Sequence, residues 1–209
     1  MEQLSDFFLD YYRGASTFNI ILEAVVFIFG ILSVYYSKKE DILVYPTGLI
    51  ATVITVYLLY KAEYYGDMMM NFYYSVMSVY GWINWARKKD GEPLVPITRT
   101  NTKEKVVGFS LFLLTMIVTY LVYKSFDYEI EIVNYIDIFT SGVFFTAMWY
   151  MAIKKLENWT LWIVADIITI PLYAYRGLGM LSLQYVIFTI LAIQGYIVWK
   201  RNLGSHVSF

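Results

Sequence analysis

The stretch NWTLWIVADIITIPLYAYR, residues 158–176, places one acidic side chain, Asp166, in the middle of a run that is mostly apolar or aromatic. The basic residues nearest to Asp166 are Lys155 on one side and Arg176 on the other. A helix of about 20 apolar residues can cross a bilayer. A charged side chain at mid-depth is costly there unless it faces water, a partner or a ligand. The stretch therefore predicts a membrane helix with a polar function at its centre.

The composition extends this prediction to the whole chain. Of its 209 residues, 59% are hydrophobic, 20% are aromatic and only 16% are charged, which is unlike a water-soluble domain. Segments long and apolar enough to span a membrane recur along the chain. We predict an all-α integral membrane protein with seven transmembrane helices, at residues 18–36, 42–60, 68–85, 106–123, 135–153, 159–175 and 180–199.

The basic residues predict the orientation of these helices. Of the 16 Lys and Arg residues, the seven-helix plan assigns four to one side, Arg13, Lys61, Lys124 and Arg176, and all the others to the opposite side. Because Lys and Arg accumulate on the cytoplasmic side, we expect the N-terminus outside and the C-terminus in the cytoplasm. The acidic segment 1–17 does not match a cleavable signal peptide, so we expect the first helix to be retained.

Several classes of protein are disfavoured by what the sequence contains. There is no cysteine, and the single histidine, His206, lies in the tail, so neither a catalytic constellation nor a metal site is expected. The net charge of −1 argues against a nucleic-acid partner. The last helix has no central lysine for a retinal Schiff base. We therefore predict a protein that is not an enzyme and that needs no cofactor.

An internal repeat is visible in two stretches. SKKEDILVYPTGLIATVITVYLLYK begins at Ser37 and IKKLENWTLWIVADIITIPLYAYR begins at Ile153; aligned on Lys-Lys, they match Tyr57 with Tyr173. After a gap of two residues, GWINWAR from Gly81 matches GYIVWKR. The repeat predicts a 3+1+3 plan with parallel halves. Its parts are an N-terminal segment (1–17), a first three-helix bundle (18–85), a cytoplasmic loop (86–105), a linker helix (106–123), a second three-helix bundle (135–199) and a tail (200–209).

The candidate binding residues cluster around Asp166. Helical spacing puts Trp159, Trp162 and Tyr173 on its face. Aromatic planes with one anion suit a flat, cationic organic ligand. Residues 67–82 of the third helix form a polar stripe, and the remaining candidates with polar or aromatic side chains are Glu23, Asp67, Asn71, Ser75, Trp82, Asp137, Asn158, Gln184 and Tyr185. A purely structural role, with Asp166 accepting hydrogen bonds from Tyr or Trp, is the alternative.

The sequence resembles the nicotinamide riboside transporter (PnuC) family of bacterial vitamin transporters. The resemblance rests on LENWTLW at 156–162, the polar residue four positions later, SLQY at 182–185 and YGWINW at 80–85. It implies a 3+1+3 fold related to the sugar-transporting SWEET proteins, in a homotrimer in the bacterial inner membrane. It also implies facilitated diffusion (uniport) of an unphosphorylated vitamin precursor, which a separate cytoplasmic kinase then traps. Carried onto this chain, the family's substrate-binding positions are Asn71, Asn158, Trp159, Trp162, Asp166 and Gln184.

Two of these positions depart from the family's pattern, since nicotinamide riboside transporters have Gln where this chain has Asn71 and Asn where it has Asp166. A carboxylate favours the aromatic cations nicotinamide riboside and thiamine over neutral riboflavin. Nicotinamide riboside is the first expectation and thiamine the second. A structural or assembly protein of the membrane, without a ligand, is the alternative from another class.

Overall fold

The computed structural model describes residues 16–61, 65–89, 92–125 and 130–205. These residues form seven long helices, which confirms the predicted number and places the predicted segments within a few residues, the last helix being longer. A short hairpin of strands β1 (Lys88–Lys89) and β2 (Glu92–Pro93) lies in the loop after the third helix. The helices are α1 (Thr17–Lys38), α2 (Val44–Lys61), α3 (Tyr65–Ala86), α4 (Thr102–Ser125), α5 (Ile132–Ala152), α6 (Glu157–Tyr175) and α7 (Gly179–Ser205).

Five of these helices, α1, α2, α4, α5 and α7, are both long enough and apolar enough to cross a membrane. The other two, α3 and α6, have 22 and 19 residues but do not reach the same mean hydropathy. At 1.5 Å per residue, 19 residues still span about 28 Å, close to the thickness of a hydrocarbon core. The two helices that fall short in hydropathy are the ones in which the sequence places Asn71 and Asp166.

Side chains near the helix ends fix where several helices start. Ser16 accepts a hydrogen bond from the backbone N–H of Asn19 at the start of α1. At the start of α4, Asn101 and Glu104 exchange side-chain and backbone hydrogen bonds of 2.8 and 2.9 Å. Glu131 forms the same kind of capping box at the start of α5. Such pairs satisfy N–H groups that have no partner inside the helix.

Six of the helices pack as a closed ring. We call α1–α3 the first half and α5–α7 the second half. Consecutive helices pack within each half, α3 packs against α5, and α7 packs against α1. Helix α4 lies outside this ring, mainly against α5. Each helix of the first half has the same neighbours in the ring as its counterpart in the second half, with α1, α2 and α3 corresponding to α5, α6 and α7.

The turns that follow α1 and α5 repeat the same backbone geometry with a shift of 114 positions. Glu40 and its counterpart Lys154 both have a positive φ, 59° and 51°. Each N–H in the first turn has the same kind of acceptor as the equivalent N–H in the second, for example Asp41 N–H to Tyr36 O and Lys155 N–H to Tyr150 O, at 3.0 and 2.9 Å. The sequence alignment on Lys-Lys used a shift of 116, so its pairing of Tyr57 with Tyr173 is wrong in register. The turn geometry, rather than residue identity, sets the repeat.

The two turns differ in what covers them. Thr98 exchanges backbone hydrogen bonds with the second turn, donating to Lys154 O and accepting from Leu156 N–H. The backbone N–H of Thr100 donates to the carboxylate of Glu157 at 2.9 Å. The loop between α3 and α4 is thus fastened to the second half of the chain.

Candidate functional site

A cavity of about 1310 Å³ lies between the two halves. It extends from Trp159 at one end of the ring to Asp137 and Arg176 at the other. The side chains of Asp137 and Arg176 are 18% and 28% exposed, so the cavity reaches the surface at their end. We call this end the mouth and the opposite end, where α1, α3, α5 and α7 finish, the basic end.

The face of α6 predicted from the sequence lines this cavity. Trp159, Trp162, Asp166 and Tyr173 all contribute to its wall. Asp166 is only 2% exposed, and its Oδ1 has no hydrogen-bond partner among the described residues. The ring of Trp162 lies 5.4 Å from that of Phe144. A buried carboxylate oxygen beside aromatic rings can accept a hydrogen bond from a ligand or bind a cation.

Asn71, Gln184 and Tyr185 complete the predicted polar lining, from α3 and α7. Gln184 is buried because α7 packs against α1 at Gly30, where an added Cβ would lie 3.0 Å from the Gln184 Nε2. Tyr185 packs edge-on or tilted against neighbouring rings, 5.9 Å from Phe144. Polar groups from both halves therefore converge on one space.

The mouth carries an ion pair. Asp137 accepts a hydrogen bond of 2.6 Å from the Tyr123 hydroxyl and lies 3.4 Å from the guanidinium of Arg176. Burial alone would lower the pKa of Arg176, but the charge and hydrogen bond of Asp137 together with the neighbouring Tyr123 and Tyr173 raise that pKa on balance. The charge of Arg176 is thus paired with that of Asp137 at the mouth.

At the basic end the cavity is closed by four aromatic side chains, which we call the tryptophan closure: Tyr45, Trp85, Trp159 and Trp199. All four are at most 6% exposed. Tyr45 meets Trp85 edge to face at 5.1 Å, and Trp159 meets Trp199 in the same way at 5.5 Å. The rings of Trp85 and Trp199 lie 5.9 Å apart and join the two pairs.

Bonds between the halves hold this closure. The Trp85 indole N–H donates to Met151 O at 3.3 Å, and the Trp199 indole N–H donates to Ser37 O at 3.1 Å. These two bonds are related by the shift of 114 positions. The ammonium of Lys154 forms a 2.8 Å ion pair with Glu40 and lies 4.5 Å from the centre of the Trp85 ring.

Other candidate residues lie away from the cavity wall. Asn158 is fully buried, donates to Lys155 O and leaves its Oδ1 without a partner in the described structure. Ser75 donates to Thr52 Oγ1 at 2.8 Å behind the wall. Trp82 is 39% exposed. Glu23 does not line the cavity, and the side chain of Asp67 lies outside the described residues.

Residues 20–201 match a family model described as nicotinamide mononucleotide transporter. The chain belongs to this family. The nicotinamide riboside transporter PnuC of Escherichia coli (strain K12) is 23% identical over 219 aligned residues, which cover 92% of each chain. The transporter of the same name from Neisseria mucosa is 27% identical, over 88% of this chain and 79% of its own.

A solved structure supports the same assignment. The crystal structure of the vitamin B3 transporter PnuC superimposes with a TM-score of 0.69 at 25% identity, covering 88% of this chain and 83% of that one. The family is one of membrane transporters, so the chain is not expected to be an enzyme. A cavity between two halves of a helical ring is where such proteins hold a substrate.

Sequence reasoning missed most of the contribution of the first half. Tyr45, Ser37 and Thr52 line the cavity, yet none was a candidate. The correct repeat register contains the missing signal, because it pairs Tyr45 with Trp159 and Thr52 with Asp166.

Proposed function

We propose that this protein carries nicotinamide riboside across the bacterial inner membrane by facilitated diffusion. The observation that carries the proposal is Asp166, a buried carboxylate with a free oxygen among aromatic rings in a cavity between the halves. A flat cation gains from both the carboxylate and the ring faces. The names of the relatives, nicotinamide riboside transporters, agree with this chemistry.

The charges of the cavity favour the riboside over the phosphorylated mononucleotide that names the family. The charged residues of the wall are Asp137, Asp166 and Arg176. Because Arg176 is paired with Asp137, the remaining charge is the carboxylate of Asp166. It attracts a cationic ring and repels a phosphate. An unphosphorylated substrate also fits trapping by a separate cytoplasmic kinase, which we propose as the step that retains it.

We propose that the basic end faces the cytoplasm and the mouth faces outward. The support is the distribution of Lys and Arg, which gather around the ends of α1, α3, α5 and α7. This orientation puts the N-terminus outside and the C-terminus inside. The described state is then open outward and closed on the cytoplasmic side by the tryptophan closure.

We also propose the 3+1+3 parallel-repeat (SWEET-like) architecture, with α1–α3 and α5–α7 as the two bundles and α4 as the linker helix. Support comes from the exchangeable neighbours in the ring and from the turns at Glu40 and Lys154. Transport then requires one bundle to rock against the other, which breaks the bonds between Trp85 and Met151 and between Trp199 and Ser37. The ligand site lies at their interface, where both bundles touch it.

A homotrimer is proposed from the resemblance. Helix α4 lies outside the ring and exposes apolar side chains, among them Phe109, Leu113, Ile117 and Leu121, to lipid or to a neighbouring copy. Native mass spectrometry in detergent would give the mass of three chains. A single-chain mass under conditions that preserve ligand binding would refute the trimer.

Titration calorimetry on the detergent-purified protein tests the function. We expect saturable binding of nicotinamide riboside and weaker or no binding of riboflavin, which lacks the positive charge. Thiamine, the second expectation from the sequence, is the informative comparison because it is also an aromatic cation. If none of the three bound, the vitamin hypothesis would fail and a ligand-free structural role would be favoured.

A further inference from the structure

Helix α4 is bonded to the second half over nearly its whole length. Near its start, the Tyr150 hydroxyl of α5 donates to Glu104 O, and the Thr146 hydroxyl donates to the α4 backbone one turn later, both at 3.2 Å. Near its end, the Tyr123 hydroxyl donates to Asp137 of α5 at 2.6 Å. From Glu104 to Tyr123 the helix rises about 28 Å, so these bonds cover the depth of a hydrocarbon core.

Glycines bring α4 and α5 close together between these bonds. A Cβ added at Gly142 of α5 would lie 2.8 Å from the Phe112 ring of α4, and one added at Gly108 of α4 would overlap the Tyr150 side chain. Small residues allow membrane helices to approach each other closely. The contact of α4 with α3, the nearest helix of the first half in the chain, is slight. Helix α4 thus packs as a fourth member of the second half.

The residues just before α4, which we call the strap (97–101), are also attached to the second half. Thr98 forms a parallel β-bridge with Lys155, and its hydroxyl accepts a 2.8 Å hydrogen bond from the Lys155 ammonium. The same ammonium forms a 2.7 Å ion pair with Glu104 of α4. Ile97 is 4% exposed and belongs to the buried cluster that contains the tryptophan closure. Lys155 therefore joins the strap and α4 to the turn between α5 and α6.

The chain passes from the first half to the second within a few residues. The N–H of Leu94 donates to Arg87 O at 2.9 Å, which holds Leu94 just beyond the end of α3. Thr98, four residues later, makes backbone hydrogen bonds to the second half. Hinges between rigid bodies usually consist of a few loop residues that absorb the change in backbone angles. The residues between Leu94 and Thr98 occupy such a position.

We propose that transport moves two unequal bodies, with the strap and α4 moving together with α5–α7 against α1–α3. The chain would bend between Leu94 and Thr98. This rests on the proposed function, because it requires the basic end to open during transport. Separating α4 from α5 would break hydrogen bonds at both ends of the helix and the close packing at its glycines. Separating α1–α3 from the other helices breaks only contacts that the rocking of the two halves breaks in any case.

Two ion pairs of nearly equal length provide a matched test. Glu104 and Lys155 lie 2.7 Å apart within the larger body, whereas Glu40 and Lys154 lie 2.8 Å apart and join the two bodies. Each pair is replaced by two cysteines in a chain that has none of its own. A bifunctional methanethiosulfonate about as long as the ion pair then bridges the two thiols. Uptake of nicotinamide riboside into vesicles is measured before bridging, after bridging and after reduction, and intact-protein mass spectrometry gives the bridged fraction.

We expect the bridge in Glu104→Cys with Lys155→Cys to leave the uptake rate within about twofold. The bridge in Glu40→Cys with Lys154→Cys should lower the rate at least about tenfold and reversibly, because it ties the two moving bodies together. Thr98→Cys with Lys155→Cys, oxidised to a disulfide across the parallel β-bridge, tests the strap directly and should again leave uptake within about twofold. Each double variant before bridging is its own reference for the effect of the substitutions.

A reversible loss of uptake on bridging position 155 to position 104 or 98 would overturn the unequal bodies, since α4 or the strap would then have to move against the second half. Either of these two variants decides the question if the other does not fold. Undiminished uptake with positions 40 and 154 fully bridged would also overturn the proposal, because the two bodies would not separate at the basic end. Absence of riboside uptake by the unaltered protein would instead overturn the proposed function.

Discussion

Neutralising Glu40 should open the basic end of the protein more often. In the described state its carboxylate lies 2.8 Å from the Lys154 ammonium, and the two side chains are 23% and 4% exposed. Glu40→Gln keeps the size and an acceptor oxygen but leaves the buried ammonium without a counter-charge. The bond joins the two halves, so its loss weakens the closed state rather than either half alone.

The magnitude follows from the burial of the pair. Exposed ion pairs contribute up to about 1 kcal/mol, and removing one partner of a buried pair costs about 3 to 5 kcal/mol. Because Glu40 is partly exposed and Lys154 keeps its contact with the Trp85 ring, a value of about 2 kcal/mol is expected. That corresponds to a roughly 30-fold increase in the ratio of open to closed molecules.

The absence of cysteine from the sequence makes this measurable. Ala152, which is fully buried beside the closure and accepts a hydrogen bond from Asn84 through its carbonyl, is changed to Cys. The rate of labelling by a membrane-impermeant maleimide, applied to the basic side in inside-out vesicles, reports opening. We expect labelling about 30-fold faster with Glu40→Gln, provided that reclosing outpaces labelling. Arg201→Cys, an exposed position, should label at the same rate in both backgrounds.

Lys154→Met completes a double-mutant cycle. If the ion pair holds the closure, adding Glu40→Gln to Lys154→Met should change the labelling rate far less than Glu40→Gln does alone. Unchanged labelling in Glu40→Gln, or two effects that multiply independently, would refute the reasoning.

Three further predictions address the ligand, the closure and the energetics of transport. Asp166→Asn should raise the Kd of a cationic substrate about ten- to hundredfold, as expected for a charged hydrogen bond, while the thermal unfolding midpoint is retained; an unchanged Kd in calorimetry would make the carboxylate structural. Trp85→Phe and Trp199→Phe should each lower the free energy of unfolding by about 1 to 3 kcal/mol through a lost N–H donor and lost volume, whereas Trp82→Phe should stay within about 0.5 kcal/mol; equal effects of all three would show that the indole bonds do not matter. Vesicles should take up nicotinamide riboside to the external concentration with or without a pH gradient, and accumulation above it would exclude uniport.

The sequence predicts the helices well because their signals are local. Each predicted segment is a long apolar run bounded by charged or turn residues, and the helices end close to those bounds. The face of α6 was also predictable, because spacings of three and four put Trp159, Trp162 and Asp166 on one side of any helix. The same argument along α3 placed Trp82 with Asn71, yet Trp82 is partly exposed and the buried indole is that of Trp85. Local periodicity does not say which helix packs against a given face.

Local sequence patterns could not predict the tryptophan closure, and the reason is physical. The two halves share backbone geometry and hydrogen bonds, but the residues that occupy equivalent positions differ in charge and size, as Glu40 and Lys154 do. An alignment that seeks identical letters therefore pairs the two Lys-Lys dipeptides and misplaces the repeat by two positions. What the repeat preserves is the residue with a positive φ after α1 and after α5, and the indole N–H that donates to the other half.

The two halves repeat the backbone frame and the hydrogen bonds of the basic end, but they do not repeat the side chains that line the cavity. Each half donates one indole hydrogen bond to the other at the basic end, so the closing forces are balanced across the ring. The cavity wall is not balanced, since Gly48 and Thr52 stand where the other half has Trp162 and Asp166. In the transport cycle that we propose, the two like frames rock against each other and the unlike linings contact the substrate, so motion and recognition depend on different residues of the same repeat.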